Sequence, residues 1–212
     1  MIKAFGRRIL FNHLKNLEMP HIKVNEDLPG IRSLMAFSPE TAAPMGELAN
    51  LLLRTNEGLT MAERELIATY VSHLNNCFYC EHSHGAIVTC YLNDDNQLVD
   101  EVIKDLAHAP VSDKLKALLI IAGSVQKGGR HVTSNQIEAA KQSGASDKEI
   151  HDTVLIAAAF CMFNRYVDGL ASKTPSDLSS YPLRARQIAE NGYGNHIFLN
   201  KQPVADEQQA GH

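Results

Sequence analysis

Apolar positions recur along this chain at helical spacing nearly throughout, and no stretch keeps the alternation of a strand for long. Gly, Pro and Ser-Asp clusters punctuate the pattern. Ser38-Pro39 offers an N-cap with proline at the first helical position and predicts a helix near 39–54. Thr60-x-x-Glu63 is a capping box, a cap hydroxyl and a carboxylate three residues on, and opens a helix near 61–75. Residues 77–91 read as another helix, closed by the polar run Asn93-Asp94-Asp95-Asn96. Shorter helices are expected near 97–106, 113–127 and 135–143. Ser146-x-x-Glu149, a second capping box, opens a long apolar helix that runs to about Leu170.

The expected fold class is therefore all-α: a helical bundle with a weak internal helical repeat. The repeat rests on the two capping boxes, each preceding a long apolar helix. Superposing them sets Phe163 and Tyr166 where the first copy has Cys77 and Cys80, so the chemistry would reside in one copy only. The organisation expected is an N-terminal arm over 1–27, a helical domain over 28–172, and a C-terminal extension over 173–212, partly disordered. In that extension SKTPSDLSSYP reads as a linker, LRARQIAENGYG as a short exposed helix, and KQPVADEQQAGH as disordered. The arm, MIKAFGRRILFNHLKNLEMP, is basic and mildly amphipathic and reads as a segment that packs on a neighbouring subunit.

Composition narrows the function classes. Apolar content of 44% and charged content of 21% are ordinary for a soluble globular chain of 212 residues, and a chain of this length buries a core without staples. A net charge of −4 gives no footprint for nucleic acid or an anionic membrane. The longest apolar runs, ending at Ala122 and Phe163, are too short to span a bilayer. No secretory h-region or cleavage site is evident, so the expected location is cytoplasmic. Four cysteines do not make a disulfide scaffold, and two only three residues apart read as redox or metal chemistry.

Those two lie in ERELIATYVSHLNNCFYCEHSH, where Glu65, Cys77, Cys80 and His84 form the pattern E-x11-C-x2-C-x3-H. On a helix, positions i, i+3 and i+7 put Cys77, Cys80 and His84 on one face. A start at Cys77 would point both sulfurs at the positive end of the helix dipole. A free thiol, with a pKa of about 8.5, is a few per cent thiolate near neutrality, and a helix N-terminus with a nearby imidazole raises that fraction. The spacing also suits a disulfide, so the pair can cycle between dithiol and disulfide. His84, one turn after Cys80, is placed to take a thiol proton. Glu65 lies among apolar neighbours, where a carboxylate needs a partner. The imidazole of His84 is the simplest one. Glu63 belongs to the capping box.

At these residues the chain resembles the alkylhydroperoxidase D (AhpD-like) and carboxymuconolactone decarboxylase superfamily, in particular its peroxidase-related branch. The resemblance runs from about Leu28 to Ser172 and includes SLMAFSPETAAPM, RELIATYVS and the C-x-Y-C-x-x-x-H core. It implies an AhpD-like helical bundle, an antioxidant thiol-dependent hydroperoxide reductase, and a homo-oligomer: dimer, trimer or hexamer. It implies Cys80 as the peroxidatic thiol, Cys77 as the resolving thiol, and Glu65 with His84 as a proton relay. The partners implied are a hydroperoxide substrate and an external dithiol reductant of lipoyl or thioredoxin type; no cofactor and no metal are implied. In the best-understood peroxidase branch a histidine directly precedes the second cysteine. Here the position is Tyr79, which becomes a candidate substrate-pocket residue.

Other readings compete. The dithiol could report oxidation to a partner without turnover. Alternatively, Cys77, Cys80 and His84 with His82 or His73 could supply zinc ligands, although the spacing departs from the usual zinc-finger layout. The same fold could also act on a small carboxylated or lactone-like substrate. His73 reads as a satisfied core or interface histidine and His82 as peripheral. Cys90 and Cys161 read as small buried hydrophobes, and Met35, Met45, Met61 and Met162 as core filler. Asn164, Arg165 and Asp168 read either as a polar network near the active helix or as a C-terminal cap region.

Overall fold

Three capping boxes set the helical frame. Thr60, Thr133 and Ser146 each accept a hydrogen bond from the backbone three residues on, and Glu63, Gln136 and Glu149 reach back to the cap residue's own N–H. The sequence pattern singles out the first and last of these; the middle one opens a weaker apolar stripe. The protein is described by a computed structural model over residues 19–93, 95 and 97–193. The expectations of a subunit-packing arm before residue 19 and a disordered last dozen residues lie outside the described residues.

Nine α-helices and no strand occur among the described residues. They are α1 Ile31–Phe37, α2 Pro39–Leu53, α3 Met61–Leu74, α4 Phe78–Tyr91, α5 Gln97–Lys104, α6 Asp113–Lys127, α7 Ser134–Gln142, α8 Asp147–Gly169 and α9 Tyr181–Asn191, with two 3-10 turns at Gly129–His131 and Leu178–Ser180. The all-α class holds, and the helix ends fall close to those read from the caps. Ser38 differs: it precedes Pro39 as expected, but its hydroxyl donates to Glu40 instead of capping the helix.

α3 is the central helix, packed against α4, α6 and α8. Leu66, Ile67 and Val71 of α3 meet Leu118 and Ile121 of α6 and Ile156 and Phe160 of α8 in one apolar core. Two charged side chains of α3 are also fully buried, Arg64 and Glu65. Charges stay in such a position only when partnered. Arg64 is tied to Asp152 of α8 and to three backbone carbonyls, whereas Glu65 points to the other side, toward α4.

The two helices whose capping boxes the sequence pattern singles out, α3 and α8, pack against each other but differ where Asn75 and Asn76 break the first. Asn76 adopts φ +58°, the left-handed conformation that asparagine tolerates better than most residues. Its N–H bonds His73 O, and the N–H of Cys77 bonds Ser72 O, both near 3.0 Å. This is a Schellman ending, and Cys77 is at once its last residue and the N-cap of α4. The Asn-Asn-Cys sequence thereby turns one helix into the next and fixes the start of the cysteine helix. A polar network braces the turn: Asn164 of α8 donates to Ser72 Oγ at 3.0 Å and accepts from Asn75 at 2.8 Å, and Gln126 of α6 donates to Asn75 at 2.9 Å. Asn164 is thus part of a structural network; Arg165 only folds back on Cys161 O.

Three expectations need correction. The segment read as a short exposed helix is α9, whose Tyr181, Ala185 and Ile188 are buried against α4. Arg54 holds its end by donating to Ile188 O and Ala189 O. The apolar residues at every third or fourth position, rather than its polar average, decide its placement. Met162 is not core filler but 47% exposed, because the buried stripe of α8 runs through Phe160 and Phe163. Cys90 is half-buried rather than buried.

Candidate active site

α4 presents its first two turns to a cavity of about 160 Å³. Cys80 and His84 line it, together with Tyr79, Phe160 and Phe163; Cys77 does not. The two sulfurs, both in free cysteines, therefore have different surroundings. Cys80 is in the first turn of α4 and faces the cavity. Cys77 is fully buried behind it, packed with Val167 and Tyr181. The Cys77 thiol is pushed far up: first by its hydrogen bond to the Cys80 sulfur, then by burial, and further by the negative charges of a Cys80 thiolate and Asp168. Cys77 therefore keeps its proton, which it offers to the Cys80 sulfur.

The Glu65–His84 contact expected from the spacing is present. His84 Nδ1 lies 2.7 Å from Glu65 Oε2, and the carboxylate is completely buried. An ionised carboxylate only accepts, so Nδ1 carries the proton in this contact and Nε2 of a neutral ring keeps the lone pair. Phe160 meets the imidazole edge-on.

A third member escapes any reading by spacing. The Tyr193 hydroxyl donates to Glu65 Oε1 at 2.5 Å, lies 3.2 Å from His84 Nδ1, and its ring stacks on the imidazole. Burial, then the charge of Glu65 and the hydrogen bond to it, push this phenol well above its ordinary value, so it serves as a donor throughout the neutral range. The backbone brings it there by a turn at Gly192, where φ is +84° and Asn50 and Arg54 leave no room for a side chain. Asn50 Oδ1 then accepts the Tyr193 N–H at 2.7 Å. The Gly-Tyr-Gly run after α9 is the one local sequence signal of that turn.

Tyr79, expected at the pocket, lines it and is 8% exposed. Burial and the negative charge of Cys80 push its phenol up to about 12, against the opposing pull of Arg32, Ser83 and Arg184. It is a hydrogen-bond donor at neutral pH and not a base. Its ring fills the space beside Gly30, which has φ +58° and no room for a Cβ against that ring. His82 is peripheral, with Nδ1 on Phe78 O and its ring stacked on Phe78. His73 pairs with Glu81 at 3.3 Å. Among the described residues no three His, Cys, Asp or Glu side chains group to hold a metal ion, so the zinc alternative finds no ligand set there.

Residues 39–89 and 96–172 match the carboxymuconolactone decarboxylase family. The chain belongs to that family. Its fold is AhpD-like. A solved structure described as an alkylhydroperoxidase AhpD core, an uncharacterized peroxidase-related protein from Ralstonia eutropha JMP134, aligns with a TM-score of 0.65 at 26% identity, over 85% of this chain and 88% of that one. An uncharacterized peroxidase-related protein from Silicibacter sp. TM1040 aligns with a TM-score of 0.65 at 24% identity, over 79% of this chain and 93% of that one, and supports the fold alone. No curated protein matches the chain.

The matched stretches of the carboxymuconolactone decarboxylase family contain Glu65, Cys77, Cys80, His84 and Phe160. Arg32, Arg184 and Tyr193 lie outside them, on the flanking segments that close the cavity. Tyr193→Phe keeps the ring and removes the hydroxyl, leaving a buried carboxylate oxygen one donor short. The expected cost is about 1–3 kcal/mol in urea unfolding. An unchanged midpoint would remove Tyr193 from the relay.

Proposed function

We propose that this member of the carboxymuconolactone decarboxylase family is a thiol-dependent hydroperoxide reductase. One observation carries the reading: Cys80 and a carboxylate-oriented imidazole, His84, line a single largely apolar cavity, with a second thiol hydrogen-bonded behind Cys80. The cavity suits an organic peroxide, and the hidden thiol suits a resolving role.

In the cycle, the Cys80 thiolate attacks the terminal peroxide oxygen. The S–O bond forms as the O–O bond breaks, and the alkoxide leaves with the proton that His84 received from the thiol. Cys80 is now a sulfenic acid. The Cys77 thiol attacks it, water leaves, and a disulfide forms. An external dithiol of lipoyl or thioredoxin type reduces that disulfide by exchange. Glu65 and Tyr193 hold the imidazole throughout.

The testing experiment is a peroxide-consumption assay coupled to a panel of dithiol donors. Sustained turnover above the rate of free dithiol supports the enzyme. A single equivalent oxidised and no cycling with any donor supports the sensor reading instead. Oligomerisation belongs to the same proposal. α8 exposes Leu155 and Met162 two turns apart on one face, an apolar surface that a second copy could cover. No helix among the described residues is long and apolar enough to cross a membrane.

A further inference from the structure

The cavity over Cys80 carries a charge that the redox cycle does not use. Arg32 of α1 and Arg184 of α9 both line it. No aspartate or glutamate does. Among the described residues neither guanidinium forms an ion pair with a carboxylate; Arg184 donates only to the Gln187 amide, at 3.3 Å. Burial, and next the positive charge of Arg32, depress the pKa of Arg184. Two half-buried like charges without a paired carboxylate raise the energy of the empty site, and an anionic head bound by them lowers it. Much of the remaining lining is apolar, including Met45, Ile87, Phe160 and Phe163. A ligand that satisfies both kinds of lining has an anionic head and a hydrocarbon body.

Size narrows it further. At about 160 Å³ the cavity is close to the roughly 150 Å³ of an apolar cavity that admits benzene. It fits one ring or a short branched chain rather than a long acyl tail. Guanidinium forks match a planar carboxylate by paired hydrogen bonds.

We infer that Arg32 and Arg184 form a carboxylate-binding subsite, and that the substrate is a compact organic hydroperoxide carrying a carboxylate away from the peroxide. The hydroperoxide half of this rests on the redox reading above; the carboxylate half does not. The carboxylate is bound and unchanged in the reaction. At the other end the Cys80 sulfur is oxidised, the peroxide is reduced to the alcohol, and the external dithiol supplies the electrons. Both arginines lie outside the family-matched stretches, so the subsite is a property of this chain's flanks.

Two measurements separate the halves. Calorimetry with 4-isopropylbenzoate, which carries no peroxide, against 4-isopropylbenzyl alcohol reads the subsite without turnover. The benzoate is expected to bind at least about tenfold tighter, and Arg184→Gln or Arg32→Gln to remove that margin. Two independent variants, each checked for an unchanged unfolding midpoint, guard against a folding defect in either. Kinetics then compare cumene hydroperoxide with its 4-carboxy derivative. The kcat/KM ratio is expected to favour the carboxylated compound by roughly tenfold and to approach one in the variants. Benzoate that fails to bind at millimolar concentration, or binds equally to wild type and both variants, overturns the subsite. Arginine-dependent benzoate binding without consumption of either hydroperoxide keeps the subsite and removes the redox assignment. Turnover of both peroxides at equal efficiency does the reverse.

Discussion

Cys80→Ser is expected to lower peroxide consumption by about 10³-fold or more, to the level of the dithiol donor alone. A serine hydroxyl at this position has nearly the same size, so the helix start and the cavity wall are kept. What it lacks is acidity: no relay of one imidazole and one carboxylate ionises it near neutrality. Cys77→Ser should behave differently. Cys80 still attacks, one equivalent of peroxide is consumed in a burst, and the sulfenic acid then persists because nothing behind it can condense. Intact mass should show one added oxygen in that variant and none in Cys80→Ser. The asymmetry follows from placement, since only Cys80 reaches the cavity and the Cys77 thiol is held protonated behind it. Alkylation by a small electrophile should likewise label Cys80 before Cys77. A burst in Cys80→Ser with a dead Cys77→Ser would reverse the two roles, and wild-type turnover in Cys80→Ser would end the proposal.

The residues proposed to carry this chemistry were legible to different degrees, and the difference is physical. Glu65, Cys77, Cys80 and His84 lie on two consecutive helices joined by a one-step turn, so their spacing alone nearly fixes their geometry. Capping boxes act within four residues, which is why Thr60 and Ser146 mark the starts of α3 and α8 correctly. Tyr193 is 128 residues from Glu65 in sequence, and its approach depends on α9 docking against α4 and on Arg54 and Asn50 anchoring its end. Nothing in a local window encodes that. α9 reads as polar because only its buried stripe is apolar, and α1 is a seven-residue helix with no side-chain cap to announce it. Tyr79 was legible as a pocket residue from its place before Cys80. Its neutral phenol among two arginines, however, depends on those same flanking helices.

Glu65, Cys77, Cys80 and His84 come from the part of the chain that the family match covers, and Arg32, Arg184 and Tyr193 from the part that it does not. On the proposed reading α3 and α4 supply the thiol chemistry, while α1 and α9 supply the arginines that select the substrate.

The stability of the relay depends on a second buried charge one residue away. Arg64 is 1% exposed and donates to Leu59 O, Leu52 O and Glu57 O, but Asp152 is its one carboxylate partner among the described residues, at 2.8 Å. Asp152→Ala leaves that guanidinium buried with carbonyls alone. Breaking a buried pair in this way costs about 3–5 kcal/mol, which for a chain of this size lowers Tm by roughly 10 °C. The effect is also pH-dependent with a definite sign. Burial by itself raises the Asp152 carboxyl, but hydrogen bonds from Lys148, His151 and Arg64 outweigh it and hold the group at about 2, below its ordinary 3.8. A folded-state value below the unfolded one stabilises the protein above the unfolded value, and the stabilisation is lost as pH falls through the folded one. The window is therefore about pH 4 down to pH 2, and the contribution lost across it is about 2 kcal/mol. Urea unfolding at pH 7, 4 and 2.5 should show wild type and Asp152→Ala far apart at pH 7 and 4 and drawing together by pH 2.5. Parallel curves across the window would mean that the carboxylate does not titrate with the fold, and equal midpoints at pH 7 would mean that Arg64 finds another partner. Because Glu65 follows Arg64 on α3, loosening this anchor should also disorder the relay.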